Sequence, residues 1–216
     1  MTVPPDAREA LDRETRALVL LGVALGRRDP VAIRQAVREC AASVRPRAVE
    51  EALLQAYLFV GFPTALAAAS AWKAVRPSTP PEEGPAKDEG RSEWKRRGEA
   101  LCARIYGRGY EKLRRNVRDL HPALDRWMIE EGYGKVLSRP GLDPASRELC
   151  IVASLAVHAA EPQLHSHLRG ALNAGASPGA VDAVLELVLD RLDPADPRRR
   201  WVGELWHRVR EAARQR

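Results

Sequence analysis

The chain has 216 residues, of which 45% are hydrophobic, enough to bury a substantial core in one large domain or two small ones. Its formal net charge of +6 is compatible with an anionic partner such as a nucleic acid. Aromatic residues, on which bases could stack, make up only 5%. Neither a zinc-finger spacing nor a glycine-aromatic RNA-binding motif is present in the sequence. Composition therefore disfavours nucleic-acid binding.

The N-terminal sequence, MTVPPDAREALDRETR, lacks the basic start and apolar run of an export signal. We also expect no segment with the roughly 20 apolar residues that span a bilayer. The three cysteines, Cys40, Cys102 and Cys150, stand singly, so no close pair is available for a disulfide, a zinc site or a dithiol redox cycle. The sequence therefore predicts a cytoplasmic protein with reduced thiols and no membrane partner.

Helix starts in this sequence are marked by a polar capping residue followed by proline. Asp29, Asp143 and Ser177 each precede a proline, and His121 before Pro122 is a weaker case. Between these caps the apolar residues recur at helical spacing, and no long stretch alternates with period two. The pattern predicts an all-α fold.

A polar stretch, RPSTPPEEGPAKDEGRSE, divides the chain. Its proline, glycine and charged residues predict a linker over 76–93, between an N-terminal helical unit over 1–75 and a larger C-terminal unit over 94–216. Basic residues concentrate in 94–118 and in the C-terminal tail, where they stand among Glu at helical spacing. This arrangement predicts solvated helix surfaces.

The two units share an internal similarity. DRETRALVLLGVAL aligns with DPASRELCIVASLA, which places Arg16 over Arg147. After a shift of one residue, ASVRPRAVEEAL aligns with AGASPGAVDAVL, which places Pro46 over Pro178. We predict a tandem repeat of a helical-hairpin unit, packed about a pseudo-twofold axis.

Only the second copy carries ionisable residues on both hairpin helices. Glu148 and His167 occupy positions that are Ala17 and Gln35 in the first copy. A carboxyl group and an imidazole on facing helices form a proton-transfer pair. The alternative is a buried Glu148 with only a structural partner, such as Arg147 or a helix terminus. If the chain has an active site, we expect it in the C-terminal unit, with the N-terminal unit as a structural partner.

The histidines do not form a metal-binding pattern. His165 and His167 are two residues apart, so on a helix they point about 200° from each other and cannot bind one metal ion from the same face. The sequence also lacks a catalytic-serine elbow and a glycine-rich nucleotide loop. We therefore predict neither a metal ion nor an organic cofactor.

An RPGLD turn, an REL helix start and an HLRGALNAG segment follow one another within residues 133–187. This combination resembles the carboxymuconolactone decarboxylase family, and within it the decarboxylase branch. Residues 49–68 resemble the helix pair that closes the domain of that family. The resemblance implies an alkylhydroperoxidase D-like helical bundle that self-associates, and two units per chain make a homotrimer, a pseudo-hexamer of units, the expected assembly.

In the related alkylhydroperoxidase D branch, a Glu, a Cys-x-x-Cys pair and a His form a proton relay. The resemblance places that Glu on Glu148 and that His on His167, whereas the two cysteines fall on Ala160 and Gln163. It therefore implies acid-base chemistry by Glu148 and His167 without the dithiol. Cys150, two residues from Glu148, is an isolated candidate nucleophile whose pKa we expect a neighbouring carboxylate to raise.

The resemblance implies a lyase that acts on a small carboxylated lactone or a related organic acid. Such a decarboxylase needs cations for the substrate carboxylate and a group that protonates the carbanion or enolate after carbon dioxide leaves. The candidate catalytic residues are Glu148 and His167, and the candidate substrate-binding residues are Arg139, Arg147, His165 and Arg169. The alternative is a non-catalytic oligomeric scaffold, or an anionic-ligand-binding protein, of the same fold.

Overall fold

The computed structural model describes residues 11–77 and 90–215, and within these residues the chain forms helices and no β-strand. The predicted all-α fold is confirmed. The helices are α1 Arg13–Arg27, α2 Pro30–Ser43, α3 Pro46–Val75, α4 Arg91–Tyr106, α5 Tyr110–Leu120, α6 Pro122–Trp127, α7 Pro144–His158, α8 Glu161–Ala174, α9 Pro178–Leu189 and α10 Arg198–Arg214. A 3₁₀ turn, Gly107–Gly109, precedes α5, and a π-helical stretch, Met128–Leu137, follows α6. Residues 78–89, most of the predicted linker, lie outside the described residues.

The predicted helix caps are confirmed. The side chains of Asp29, Asp143 and Ser177 each accept a hydrogen bond from a backbone N–H group in the first turn of α2, α7 and α9. At the start of α6, Nδ1 of His121 accepts a hydrogen bond from the N–H group of Ala123 at 3.0 Å. These bonds satisfy backbone donors that have no partner within the helix.

Helix α7 lies at the centre of the molecule, and all of its residues from Arg147 to Val157 are buried. Helix α8 returns antiparallel beside it, and α1 packs along another side. Two hydrophobic clusters meet at the α1–α7 pair: Val19 and Val23 of α1 join the C-terminal cluster, and Cys150 of α7 joins the N-terminal cluster. The two predicted units therefore share their core.

Helices α1 and α7 approach each other closely because α1 presents glycine to the backbone of α7. A Cβ atom on Gly22 would lie 2.6 Å from the carbonyl oxygen of Cys150, and one on Gly26 would lie 2.5 Å from that of Ser154. Both contacts advance by four residues along the two helices, so α1 and α7 run in the same direction.

The ends of α1 and α7 correspond to each other. Their N-caps, Asp12 and Asp143, each accept a hydrogen bond from the N–H group three residues later. Each helix is followed by a non-glycine residue in the left-handed conformation, Arg28 with φ 54° and Ala159 with φ 60°. The tandem repeat itself stays a prediction, to which these matching ends lend support.

Helix α3 contains a break. Gly61 adopts φ 79° and ψ 163°, two residues before Pro63, so the segment before the break and the segment after it point in different directions. The first segment buries Glu51 and Gln55 against the rest of the fold. The second segment leaves large apolar side chains in solvent, including Leu66, which is 62% exposed.

Within the described part of the chain, α3 is the one helix that is long and apolar enough to cross a membrane, by length and composition alone. The expectation that no segment meets this criterion is wrong, because residues 52–72 carry no charged side chain. In the 18-residue stretch of α3 that meets this criterion, 39% is buried within the protein. The break at Gly61 and the buried polar side chain of Gln55 are typical of a helix that packs against protein.

The segment from α4 to α6 completes the C-terminal core. Helix α4 packs closely against the π-helical stretch, since a Cβ atom on Gly98 or Gly134 would overlap the backbone of the other segment. On α5, Arg114 and Arg118 both bind the buried carboxylate of Asp125. Part of the basic segment over 94–118 thus serves internal ion pairs. Residues 91–93, predicted as linker, form the first turn of α4, and the division into two domains stays a prediction.

The glycine contact between α1 and α7 generates a stability prediction. Gly22→Ala should lower the free energy of unfolding by about 1–3 kcal/mol, because the added methyl group meets backbone that cannot rotate away. Gly203→Ala is the matched control, since a Cβ atom on this α10 glycine meets nothing within 4 Å. The control should gain up to about 1 kcal/mol from helix propensity. Equal stability of the two variants in urea unfolding would contradict the close α1–α7 contact.

Candidate functional site

The two predicted catalytic residues meet across the α7–α8 hairpin. Nδ1 of His167 lies 2.8 Å from Oε2 of Glu148. The two side chains are only 8% and 3% exposed, respectively. The sequence left open whether these residues touch, and the structure brings them into direct contact in a buried position. Their catalytic role stays a prediction.

The contact determines which imidazole nitrogen is available for proton transfer. When Glu148 is ionised it can only accept a hydrogen bond, so Nδ1 of His167 donates and Nε2 becomes the atom that takes up or releases a proton. The contact with Glu148 uses Nδ1 and does not involve Nε2. The ring of Phe59, from α3, packs edge-on against the imidazole with centroids 5.3 Å apart and limits its rotation.

Gly170, one turn after His167 on α8, makes room for the carboxylate. A Cβ atom at this position would lie 2.8 Å from Oε2 of Glu148 and 2.9 Å from Cγ2 of Ile105 on α4. A larger side chain would push Glu148 away from His167. The glycine of the HLRGALNAG segment is therefore required by the geometry of the pair.

Two tyrosines, which the sequence reasoning missed, lie beside this pair. The rings of Tyr106, at the end of α4, and Tyr133, in the π-helical stretch, meet edge to face with their centroids 6.2 Å apart. Burial, with a contribution from the negative charge of Glu148, raises the pKa of Tyr106 to about 12 and that of Tyr133 well above its ordinary value. Tyr133 begins the segment that carries the family resemblance, whereas no motif marks Tyr106.

Arg147, a predicted substrate-binding residue, lies within the protein core and binds protein groups. Its Nη2 donates to Oε2 of Glu51 at 2.9 Å and to the carbonyl oxygen of Arg139 at 2.8 Å. Its Nη1 donates to Gln55 and to the carbonyl oxygen of Glu51, and its Nε donates to the carbonyl oxygen of Leu142. All five guanidinium donors are thus used. Burial lowers the pKa of Arg147, and the Glu51 carboxylate opposes this effect.

Glu51, fully buried on α3, is the centre of this second polar cluster. Arg139 donates to its Oε2 at 3.1 Å, and Nη2 of Arg47 lies 2.8 Å from its Oε1. The structure therefore brings Arg139 and Arg147 together at Glu51 and places neither in contact with the Glu148–His167 pair. Their role in substrate binding stays a prediction, and a substrate carboxylate at Arg147 would have to displace Glu51.

The other two predicted substrate-binding residues, His165 and Arg169, lie one turn apart on a different face of α8 from His167. Both are partly buried, and His165 lies near Arg208 of α10. Partial burial, together with the positive charges of Arg169 and Arg208, lowers the pKa of His165. Their substrate-binding role also stays a prediction.

Two cavities lie near these clusters. A groove of about 490 Å³ follows the 137–144 turn and contacts Arg45 and Arg139. A cavity of about 20 Å³, close to the size of one water molecule, lies between α1, α3 and α7. Glu148 and His167 line neither of them. A substrate cavity lined by both Glu148 and His167 stays a prediction.

The three cysteines are buried free thiols, and burial raises the pKa of each to about 12. The Glu148 carboxylate contributes to this rise at Cys102, whereas Cys150 is influenced by Cys40, Arg147 and Asp143. The pKa of Cys150 is raised as expected, and the carboxylate that contributes to this rise is that of Asp143. In the described part of the chain, no three His, Cys, Asp or Glu side chains come together as metal ligands.

Comparison with known proteins supports the resemblance that the sequence motifs indicated. Residues 122–193 match the model of the Carboxymuconolactone decarboxylase family, and this match contains Tyr133, Glu148 and His167. The chain is also 27% identical over 158 residues to a protein named Peroxisomal protein 2 from Schizosaccharomyces pombe (strain 972 / ATCC 24843). The aligned region covers 73% of this chain and 74% of the relative.

The Glu51 cluster generates a second stability prediction. Glu51→Gln should lower the free energy of unfolding by about 3–5 kcal/mol, because it leaves buried guanidinium groups without their carboxylate. Glu14→Gln is the matched control: it breaks an ion pair with Arg45, whose side chain is 72% exposed, and should cost less than about 1 kcal/mol. A Glu51→Gln loss no larger than that of the control would show that the cluster does not hold α3 against α7.

The buried thiols generate a reactivity prediction. At pH 8 the folded protein should react with a disulfide reagent more than ~100-fold slower than the urea-unfolded chain, because the raised thiol pKa values leave little thiolate.

With Ala160 and Gln163 at the positions of the dithiol, we also expect no dithiol-dependent peroxidase activity. Robust peroxide turnover that disappears in Cys150→Ser would contradict this expectation.

Proposed function

We propose that this chain is an acid-base enzyme of the lyase type that works without a cofactor. Its residues 122–193 match the carboxymuconolactone decarboxylase family. The observation that carries the proposal is the buried 2.8 Å contact between Nδ1 of His167 and Oε2 of Glu148. The proposed substrate is a small carboxylated lactone or a related organic acid.

In this proposal Glu148 orients and stabilises His167. The carboxylate holds the Nδ1 proton in place and balances the positive charge of the imidazolium, while Phe59 packs against the ring. Nε2 is then the atom that exchanges a proton with the substrate. A fixed imidazole with one available nitrogen is suited to general acid-base catalysis.

The proposed reaction breaks the bond between the substrate and its carboxylate. The electron pair of that bond passes into the conjugated carbonyl system and forms an enolate as carbon dioxide leaves. His167 then delivers the proton from Nε2 to the carbon atom, and the enolate returns to the ketonic or lactone form. Water reprotonates the imidazole before the next turnover.

The proposed anchors for the substrate carboxylate are Arg139, Arg147, His165 and Arg169. Arg139 and Arg147 are bound to Glu51, while His165 and Arg169 lie on another face of α8. We keep these residues as the proposed anchors, with the condition that Arg139 and Arg147 must exchange Glu51 for the substrate. The proposal itself depends on Glu148 and His167.

A non-catalytic helical scaffold is the second candidate function. The observation that favours it is the near-complete burial of Glu148 and His167, whose side chains are 3% and 8% exposed. In this alternative the pair is a structural hydrogen bond between α7 and α8. Kinetic comparison of variants separates the two candidates, because a structural bond affects stability and a catalytic pair affects turnover.

We also propose that the chain assembles as a homotrimer, a pseudo-hexamer of its two units. Support comes from the apolar side chains that α3 leaves exposed: Leu54 at 43%, Phe62 at 61% and Leu66 at 62%. An apolar surface of this kind on a protein is typical of an interface with another chain. A cytoplasmic location stays a prediction; the name of the Schizosaccharomyces pombe relative describes that protein as peroxisomal.

The kinetic prediction concerns the catalytic pair. Against any substrate found by screening carboxylated lactones and keto acids for carbon dioxide release, Glu148→Gln and His167→Asn should each lower turnover by ~100-fold or more, because each removes an acid-base group. Both substitutions preserve shape, so circular dichroism should show folded protein.

The control for these variants is Gln35→Ala, at the position that matches His167 in the first copy. Gln35 is exposed and bonds Glu39 on the surface of α2, so this substitution should leave turnover within about twofold of the parent. Folded Glu148→Gln and His167→Asn variants that turn over substrate as fast as the parent would assign the pair a structural role.

The assembly prediction concerns α3. At micromolar concentration, light scattering should give three times the chain mass of 23.9 kDa, and Leu66→Glu should shift the mass towards the monomer by placing a charge in the interface. Lys73→Glu, at an exposed charged position of the same helix, is the control and should keep the trimer. A parent protein with monomer mass would refute the proposed assembly.

A further inference from the structure

We infer that the groove along the 137–144 turn is a binding site for a small carboxylate with an apolar body. Its volume of about 490 Å³ lies within the range of ligand-binding clefts. Glu148 and His167 do not line it, so the inference goes beyond the proposed function and holds whether or not that pair is catalytic. It also gives a role to the RPGLD turn, residues 139–143, as a whole.

The turn that forms one wall of the groove is fixed in place by Arg147. Nη2 of Arg147 donates to the carbonyl oxygen of Arg139 at 2.8 Å, and its Nε donates to that of Leu142 at 3.1 Å. Between these residues Gly141 adopts φ 102°, a left-handed conformation that favours glycine. A Cβ atom on Gly141 would lie 3.2 Å from Cγ of Glu51, so the turn packs directly on the Glu51 cluster. The groove is therefore formed before a ligand arrives.

Three guanidinium groups share one buried carboxylate beside the groove. Glu51 pairs with Arg47, Arg139 and Arg147 at 2.8, 3.1 and 2.9 Å. These four side chains carry a formal charge of +2. Charges act over longer distances in a protein interior than in water, and Arg139 lines the groove. The cluster therefore gives the groove a positive potential.

Arg45, the residue before α3, adds a second guanidinium group to the lining. Its Nε lies 3.0 Å from Oε1 of Glu14, in an ion pair at the surface. Asp143 also lines the groove, and its carboxylate accepts a hydrogen bond from the N–H group of Ser146. With Glu14, Asp143 and Arg45 included, the four arginines and three carboxylates have a formal net charge of +1. The groove therefore favours an anion.

Apolar side chains supply the rest of the recognition. Leu101 of α4, Leu137 at the end of the π-helical stretch and Leu142 of the turn line the same groove. A carboxylate matches the fork of donors that a guanidinium group presents, and an apolar body gains free energy when it leaves water for the leucine side chains. A ligand with both parts fits the lining better than a ligand with either part alone.

The first test is the binding of hexanoate to the full-length protein by isothermal titration calorimetry. Hexanoate should bind more than ~10-fold tighter than acetate, which lacks most of the apolar body. It should also bind more than ~10-fold tighter than hexylammonium, which has the same body and the opposite charge. In ¹⁵N NMR spectra, the largest changes should fall on the N–H groups of Ser138, Gly141 and Leu142. Absence of hexanoate binding, equal binding of the three probes, or largest changes elsewhere would overturn the inference.

The second test uses variants of surface side chains, which should fold like the parent. Arg45→Gln should weaken hexanoate binding by about tenfold, because it removes a charged hydrogen-bond donor from the lining. Arg34→Gln is the matched control, since Arg34 is exposed on α2 and does not line the groove, and it should bind like the parent. Equal binding by these two variants would also overturn the inference.

Glu14→Gln separates a ligand contact of Arg45 from its ion pair. This variant removes the carboxylate that pairs with Arg45, so it should bind hexanoate at least as tightly as the parent. If Glu14→Gln weakens binding as much as Arg45→Gln does, the loss comes from the broken ion pair and the inference fails. Every arm measures binding and none measures turnover, so such a failure leaves the proposed function standing.

Discussion

A charge buried in a helical core needs a partner, and two consecutive residues of α7 meet this requirement on different sides of the helix. Arg147 binds Glu51 of α3, and Glu148, about 100° further around the helix axis, contacts His167 of α8. Since α7 is buried from Arg147 to Val157, a rotation that strained one pair would strain the other as well. The two pairs together hold α3, α7 and α8 in one arrangement, and removal of either partner would leave a costly buried charge.

This arrangement gives the N-terminal part of the chain a share in the site. Helix α3 contributes Glu51 to the structural cluster and Phe59 to the face of the His167 ring, so it does more than support a separate C-terminal unit. Helix α4 packs against α8 and contributes Tyr106, whose ring meets that of Tyr133 edge to face. The family-matched segment over 122–193 therefore supplies Glu148 and His167, while elements outside it shape the surroundings of these two residues.

The parts of this structure that could be predicted from sequence are those that depend on local spacing. Capping residues such as Asp143 bond to N–H groups within the next turn, and Glu148 and His167 lie on consecutive helices joined by a short turn. Contacts between distant segments had no such signal: Glu51 precedes Arg147 by 96 residues, and Tyr106 lies in a segment without a recognisable motif. The candidate substrate-binding residues Arg139, Arg147, His165 and Arg169 are basic side chains, and charge alone does not distinguish an internal ion pair from a ligand-binding site. The break in α3 also had no clear sequence signal. Residues 52–72 are uncharged, as in an ordinary core helix, yet they form a helix that is broken at Gly61.

The central claim is that Glu148 holds the Nδ1 proton of His167 and leaves Nε2 to exchange protons. The most direct measurement is the tautomer of the neutral His167 side chain, read from its ¹⁵N chemical shifts by NMR and assigned with His167→Asn. The account predicts that the neutral imidazole carries its proton on Nδ1, held by Glu148, and none on Nε2. A neutral His167 with the proton on Nε2 and none on Nδ1 would contradict it, because Glu148 would then be the donor and the imidazole would be held in the wrong tautomer for the proposed chemistry.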